Sequence, residues 1–128
     1  MSLNTVHPER FERPLGLRDA TSAAEAVRRG EVSSVELVDA ALASLEARNA
    51  DLNAVVVTCP DRARDEARRV DAARASGAAS GPLAGVAITV KEAFHTAGLP
   101  TTWGLPDQRD WIASADAVVV QRLRAAGA

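Results

Sequence analysis

Fourteen of the 15 basic residues are arginine, and the single lysine is Lys91. Arginine cannot replace a lysine where a neutral amine is needed, because guanidinium does not lose its proton in proteins. Lys91 is followed by Glu92, and both come directly after Val86–Val90, a short apolar run. The next stretch, Ala93 to Ile112, holds three of the four aromatic residues: Phe94, Trp103 and Trp111. It also carries Pro100, Pro106, Gly98 and Gly104. A long loop with large side chains of its own, placed after a buried strand, is a common home for function. Ligands of open α/β sheets gather beyond the carboxyl ends of strands, which is where Lys91 falls. The chemistry on offer is that of an amine base at a strand end. On position alone the plainer reading is a lysine snorkelling from that end into water.

Other constellations fail. Gly85 to Lys91 superficially resembles a phosphate loop, but Val90 stands where the second glycine belongs and Glu92 where Ser or Thr belongs. There is no Gly-x-Ser-x-Gly elbow and no dinucleotide fingerprint at Gly81 and Gly85. His7, His95 and Cys59 lack metal-ligand spacing and read as surface or packing residues. The Ser33-Ser34 doublet is explained by helix capping.

The elements that must position Lys91 follow from periodicity. Residues 1–20, with Pro8, Pro14 and Gly16, read as an N-terminal arm. Ser22-Ala23-Ala24-Glu25 has the form of a capping box for a short helix that stops at Gly30. Ser33-Ser34-Val35-Glu36 repeats the device for a longer helix to about Arg48, with Val35, Val38, Leu42 and Leu45 on one stripe. Ala54 to Thr58 is a candidate strand. Asp61 to Ser76 is a third helix whose five arginines alternate with acids as a solvated face. Gly77 to Gly85 is a small-residue linker, and Val86 to Val90 reads as a strand buried on both sides. A last helix should run from Ser114, as N-cap, to Ala126, with Gly127 as its stop. This order favours an α/β layer architecture. Two strands cannot satisfy each other's edges, so residues 21–128 read as the front end of a larger domain.

Composition narrows the class. The 128 residues carry 47% hydrophobic and 25% charged residues and a net charge of −2, an ordinary balance for a soluble chain. No basic excess exists to release counterions from nucleic acid. A lone cysteine and an N-terminus with Glu9, Arg10, Glu12 and Arg13 fit a reduced, cytoplasmic chain without a signal peptide. The longest apolar stretch is far short of the roughly 20 residues that span a bilayer.

The motifs are also recognisable together. Gly81-Pro82-Leu83-Ala84-Gly85-Val86, then Val90-Lys91-Glu92, then Ala97-Gly98-Leu99-Pro100-Thr101-Thr102-Trp103-Gly104 resemble the amidase signature family. Upstream, Glu31 to Val38 and Leu52-Asn53-Ala54 are similar to its first helices and strand. Downstream, Asp116-Ala117, Val120, Arg122-Leu123 and Ala125 to Ala128 are similar to its next helix. The resemblance implies an α/β/α layered fold with a central mixed sheet, and amide hydrolysis by a Ser–cis-Ser–Lys triad. It assigns Lys91 as the triad lysine and leaves Thr102 and Trp103 as candidate substrate contacts. The serines and the oxyanion hole belong to a stretch that nothing here matches, so residues 21–128 are expected to stop short of the serine-containing region and to be inactive alone. No cofactor and no metal are implied. The expected partners are a small-molecule amide and, in the full-length protein, a second copy, with no direct role for nucleic acid or membrane. Many members have Asp after the lysine. Glu92 and Trp103 favour a stand-alone amidase over the A subunit of a tRNA-dependent amidotransferase; a non-enzymatic truncated product is the third reading. A neutral lysine takes the nucleophile's proton through a bridging hydroxyl and returns it to the leaving amine. Its neutrality requires burial, which the apolar strand before Lys91 is expected to provide.

Overall fold

The computed structural model describes residues 19–78 and 80–128. Among these residues there are four α-helices, α1 (Ala20–Arg29), α2 (Ser34–Leu52), α3 (Pro60–Ala75) and α4 (Val118–Ala125), with a short 3-10 turn at Pro106–Gln108. The expected arm lies outside the described residues except for its last two positions, and those already belong to α1 and its cap.

Local chemistry sets most helix ends. Asp19, not Ser22, is the N-cap of α1: its side chain accepts from the Ser22 amide, and the Ser22 hydroxyl receives the Asp19 amide in return. The helix therefore starts two residues before Ser22, since an aspartate side chain caps as well as a serine. Gly30 closes it in the left-handed conformation, as expected. The Ser33/Glu36 box caps α2 as read from the sequence. That helix continues past Arg48 to Leu52, because Asn53 rather than Arg48 adopts the left-handed cap at φ 46°. Asn49 then steers the exit. Its side chain accepts from the Ala54 and Val55 amides and donates to the Val55 carbonyl at 2.8 Å. Pro60 opens α3 at the first helical position, where its missing amide costs nothing. The last helix begins at Val118 with no side-chain cap, so Ser114 is not its N-cap.

The core lies where α1, α2 and the chain after the linker meet. Ala23, Ala24, Val27, Leu37 and Val86 are buried together, with Val32 and Val70 packed against them. A polar knot fixes the arrangement. Asp71 of α3 accepts from the Ser34 and Val35 amides at 2.8 and 3.2 Å, supplying two donors at the N-terminus of α2 with a carboxylate. The buried Ser34 hydroxyl donates to the Gly85 carbonyl at 3.2 Å. Gly85 sits at φ 78°, and a Cβ there would lie 2.9 Å from Ser34 Cβ. The linker is held too, through Leu83 and Gly85 amides donated to the Ala126 and Gly127 carbonyls.

Two expectations fail here. The segments 54–58 and 86–90 carry no regular secondary structure, so among the described residues neither forms a strand, and only an isolated bridge, Pro100 with Ile112, is present. The central sheet is thus not shown among the described residues. Nor is Val86–Val90 buried on both sides: Val86 is buried, but Ala87, Ile88 and Thr89 are exposed. The reason is the one that governs all strands. Backbone donors and acceptors of an extended segment need a neighbour on each side, and here the two segments do not pair with each other. Both instead line a groove of about 910 Å³, with Val38, Leu42 and Leu45 of α2 forming part of its apolar wall.

Two outcomes are expected. The isolated 128-residue chain should bind an environment-sensitive apolar dye and show partly helical, poorly cooperative unfolding, because that groove exposes apolar surface; a sharp, dye-silent monomeric melt would contradict this. Within a full-length protein, Gly85→Ala should destabilise by about 1–3 kcal/mol in chemical denaturation, from its φ and the contact with Ser34.

Candidate active site

The segment after Val86 enters a tight turn at Lys91, whose carbonyl accepts from the Phe94 amide at 2.9 Å. Lys91 itself is exposed, and its ammonium has no hydrogen bond or ion pair among the described residues. The burial expected from a preceding strand is therefore not found among the described residues, because residues 87–90 are open to the groove that Lys91 also lines.

Glu92 points to the loop instead. Its carboxylate accepts from the amides of Thr102 and Trp103, the latter at 2.9 Å. These donors, Thr102 foremost, hold the Glu92 carboxyl below the ordinary carboxylate range. Trp103 has φ 55°, an unusual conformation for a residue with a side chain. The turn is completed by the Gly104 amide donating to the Thr102 hydroxyl at 3.1 Å. Thr102 and Trp103 are thus brought to Glu92, one residue from Lys91.

The base of this loop is fixed separately. Gly98 and Thr101 donate to the Ala113 and Trp111 carbonyls, and Ala113 donates to Leu99. His95 packs on Trp111 with ring centroids 4.7 Å apart. Those two rings, Thr101, Trp103, Leu105 and Gln108 line a small, open pocket of about 250 Å³. His95, read as a surface or packing residue, does both jobs here. Thr101 is 3% exposed and its hydroxyl has no partner among the described residues.

Behind the loop, charges tie three elements together. The Ala97 amide donates to Asp116 at 2.7 Å, and Asp116 pairs with Arg124 at 3.0 Å. Arg124 also reaches Glu66 of α3 at 2.6 Å, and these carboxylates, Glu66 foremost, raise its already high pKa. Arg62 donates to the Ala97 carbonyl at 2.8 Å and approaches the half-buried Cys59 thiol at 3.7 Å. Arg62 is therefore not part of a solvated face, whereas Arg64 and Arg68 pair on the surface with Asp39 and Asp65. His7 lies outside the described residues. Sequence reasoning misses Asp71, Asp116 and Arg62, whose bonds to the backbone of Ser34, Val35 and Ala97 span 19 to 37 residues and leave no local pattern.

Residues 36–128 match the family model described as Amidase. The chain belongs to the amidase signature family. It is 43% identical over 114 residues to the A subunit of the glutamyl-tRNA(Gln) amidotransferase from Anaeromyxobacter dehalogenans, covering 89% of this chain and 23% of that protein. It is also 43% identical over 115 residues to the indoleacetamide hydrolase of Bradyrhizobium diazoefficiens, covering 90% of this chain and 22% of that protein. Among solved structures, a bacterial aryl acylamidase of the amidase signature family superposes with a TM-score of 0.84 at 25% identity, over 91% of this chain and 24% of that one. A vestigial protein complex described as revealing the origins of an s-triazine catabolic enzyme gives 0.82 at 37% identity, over 86% and 24%. The chain thus spans about a quarter of the length of these relatives.

Asp116→Ala should free the Ala97 amide and leave Arg124 paired with Glu66 alone. In an amidase signature protein carrying this segment, it should cost about 1–3 kcal/mol in denaturant titration, the scale of hydrogen bonds to charged groups. A loss below a few tenths would mean that α4 and the loop are held by packing alone.

Proposed function

We propose that these residues are the lysine-bearing N-terminal part of an amide hydrolase. In this reading Lys91, as a neutral amine, relays the proton of a serine nucleophile through a second serine hydroxyl, and a covalent acyl-enzyme is then hydrolysed by water. The observation that carries it is the family match over residues 36–128, which includes Lys91 and the loop clamped beside it. The two serines and the oxyanion donors would come from outside this chain, as would the burial that keeps Lys91 uncharged. The substrate would be a small-molecule amide, with Thr102 and Trp103 as candidate contacts. A second copy is the proposed partner of the full-length protein, and the cytoplasm its proposed location.

A second reading places the same domain in a transamidation complex, releasing ammonia for a charged tRNA held by another protein of the complex. It is favoured by the equal identity of this chain to a relative from such an amidotransferase and to an indoleacetamide hydrolase. Glu92 and Trp103 therefore do not separate the two readings by themselves. Genes for the other amidotransferase components beside the reading frame would favour the complex.

Two substitutions in the full-length protein test the role of Lys91. Lys91→Arg keeps the charge but cannot deprotonate, and Lys91→Ala removes the amine. Both should lose roughly 10²–10⁴-fold in acylation rate, the usual range for general acid–base catalysis. The wild-type rate should rise with pH, since only the neutral amine accepts the proton. If Lys91→Arg keeps most of the activity, Lys91 is an electrostatic or structural residue. The 128-residue chain alone should hydrolyse no amide, and Lys91-dependent labelling of it by a serine-hydrolase probe would contradict that.

A further inference from the structure

We propose that Glu92 is a positioning residue that holds the Thr102–Trp103 turn in place, and with it the Trp103 side of the pocket shared with His95, Thr101 and Trp111, for an amide ligand. The inference rests on the amide-hydrolase reading for the identity of the ligand, but its geometry stands on the chain itself.

The loop from Gly98 to Ala113 is anchored twice. At its base, the Gly98, Thr101 and Ala113 amides and the Pro100–Ile112 bridge zip the two arms together. Past Thr101 the tip runs free of that ladder, and the contacts that tie it back to the Lys91 segment come from the two carboxylate oxygens of Glu92. One accepts from Thr102 and the other from Trp103. A carboxylate is suited to this, because it is acceptor-only and can serve two parallel amide donors at once. The two successive amides converge on the carboxylate, and the chain then leaves Trp103 at φ 55°, in the left-handed region. That choice is unfavourable for a residue with a Cβ and persists where surrounding contacts over-determine it. Here the contacts are the carboxylate and the Thr102 hydroxyl, which accepts from Gly104.

The consequence falls on Trp103. Its side chain is 67% exposed, so packing does not hold it, and its placement depends on the backbone turn. It lines the 250 Å³ pocket with His95, Thr101 and Trp111. Lys91, by contrast, keeps its own anchor in the turn to Phe94. Loss of Glu92 should therefore move Trp103 and weaken ligand binding while leaving the lysine on its turn. The residue's length matters as well. Aspartate is one methylene shorter and cannot present both oxygens to both amides from the same backbone position. Glutamine keeps one acceptor but turns an NH₂ donor toward the second amide.

The test uses a full-length protein carrying these residues, labelled with fluorotryptophan. The Trp103 fluorine NMR signal is assigned by its disappearance in Trp103→Phe. In the parent, the signal should hold steady as pH falls through the ordinary carboxylate range and shift only below it. The bound carboxyl has a lowered pKa, so the clamp is intact above that value and is lost as pH drops through it. In Glu92→Gln the signal should already be displaced at neutral pH and show no acid step. Binding of benzamide, chosen for its flat ring, is measured in a Lys91→Ala background so that no turnover intervenes. Glu92→Gln should weaken it about tenfold, the scale of a lost hydrogen bond to a charged group, with Glu92→Asp in between. A Trp103 signal indifferent to Glu92→Gln overturns the proposal. So does an unchanged benzamide affinity, an absence of benzamide binding by the parent, or a fall in melting temperature with both readouts unmoved. Should Glu92→Gln fail to fold, Glu92→Asp carries the same two readouts. A full-length protein that hydrolyses no amide would defeat the amide-hydrolase reading, while these two measurements would still judge Glu92.

Discussion

The junction of Asp71, Ser34 and Gly85 is the constraint on which the placement of everything after it depends. A helix N-terminus carries amides with no intrahelical partner, and α2 meets that need with a carboxylate from α3. Ser34 is consequently buried, and its hydroxyl finds the Gly85 carbonyl 51 residues along the chain. Because a side chain at position 85 would collide with Ser34, the approach is as close as it is only with glycine. One polar knot thereby links α2, α3 and the start of the segment that leads to Lys91. Val86 follows immediately into the apolar core, so the direction of residues 86–90 is set before any sheet partner is considered.

Past that point the chain changes its means of support. From 87 to 90 packing is slight, and order resumes through turns and side-chain clamps: Phe94 on Lys91, Glu92 on the loop tip, Asp116 on Ala97. The Arg124 fork joins Asp116 to Glu66, so the loop is referred back to α3, the same helix that caps α2. Partly exposed ion pairs are weak individually, and their value here is geometric. They give the loop a fixed relation to the helices although no strand connects them among the described residues.

What can be read from the sequence is local. The Ser33–Glu36 box and the Gly30 stop involve residues three or four apart, and both are present as read. The start of α1 departs from its expected place because Asp19-x-x-Ser22 satisfies the same reciprocal pattern as Ser22-x-x-Glu25, and only packing distinguishes them. The apolar run 86–90 reads as a buried strand, yet neither a strand nor two-sided burial follows from it, since both are properties of neighbours rather than of the run. Lys91 is legible from its rarity and its place in a motif. Glu92 stands out in the sequence only as a departure from aspartate; its task depends on a turn ten residues later that no periodicity announces.

The distribution of basic side chains gives this arrangement its chemical sense. Where the structure needs a permanent cation it uses guanidinium. Arg29 bridges Glu25 and Glu31, Arg64 meets Asp39, and Arg124 joins Glu66 and Asp116. Each is a fork of donors in fixed relation to oxygen atoms, a task for which the inability to deprotonate is an advantage. Lys91 is placed otherwise: it has no carboxylate against it among the described residues, and the acid next to it in sequence is turned away and occupied by two amides. By committing Glu92 to the loop, the chain fixes the Trp103 backbone and leaves Lys91 without a carboxylate against it among the described residues.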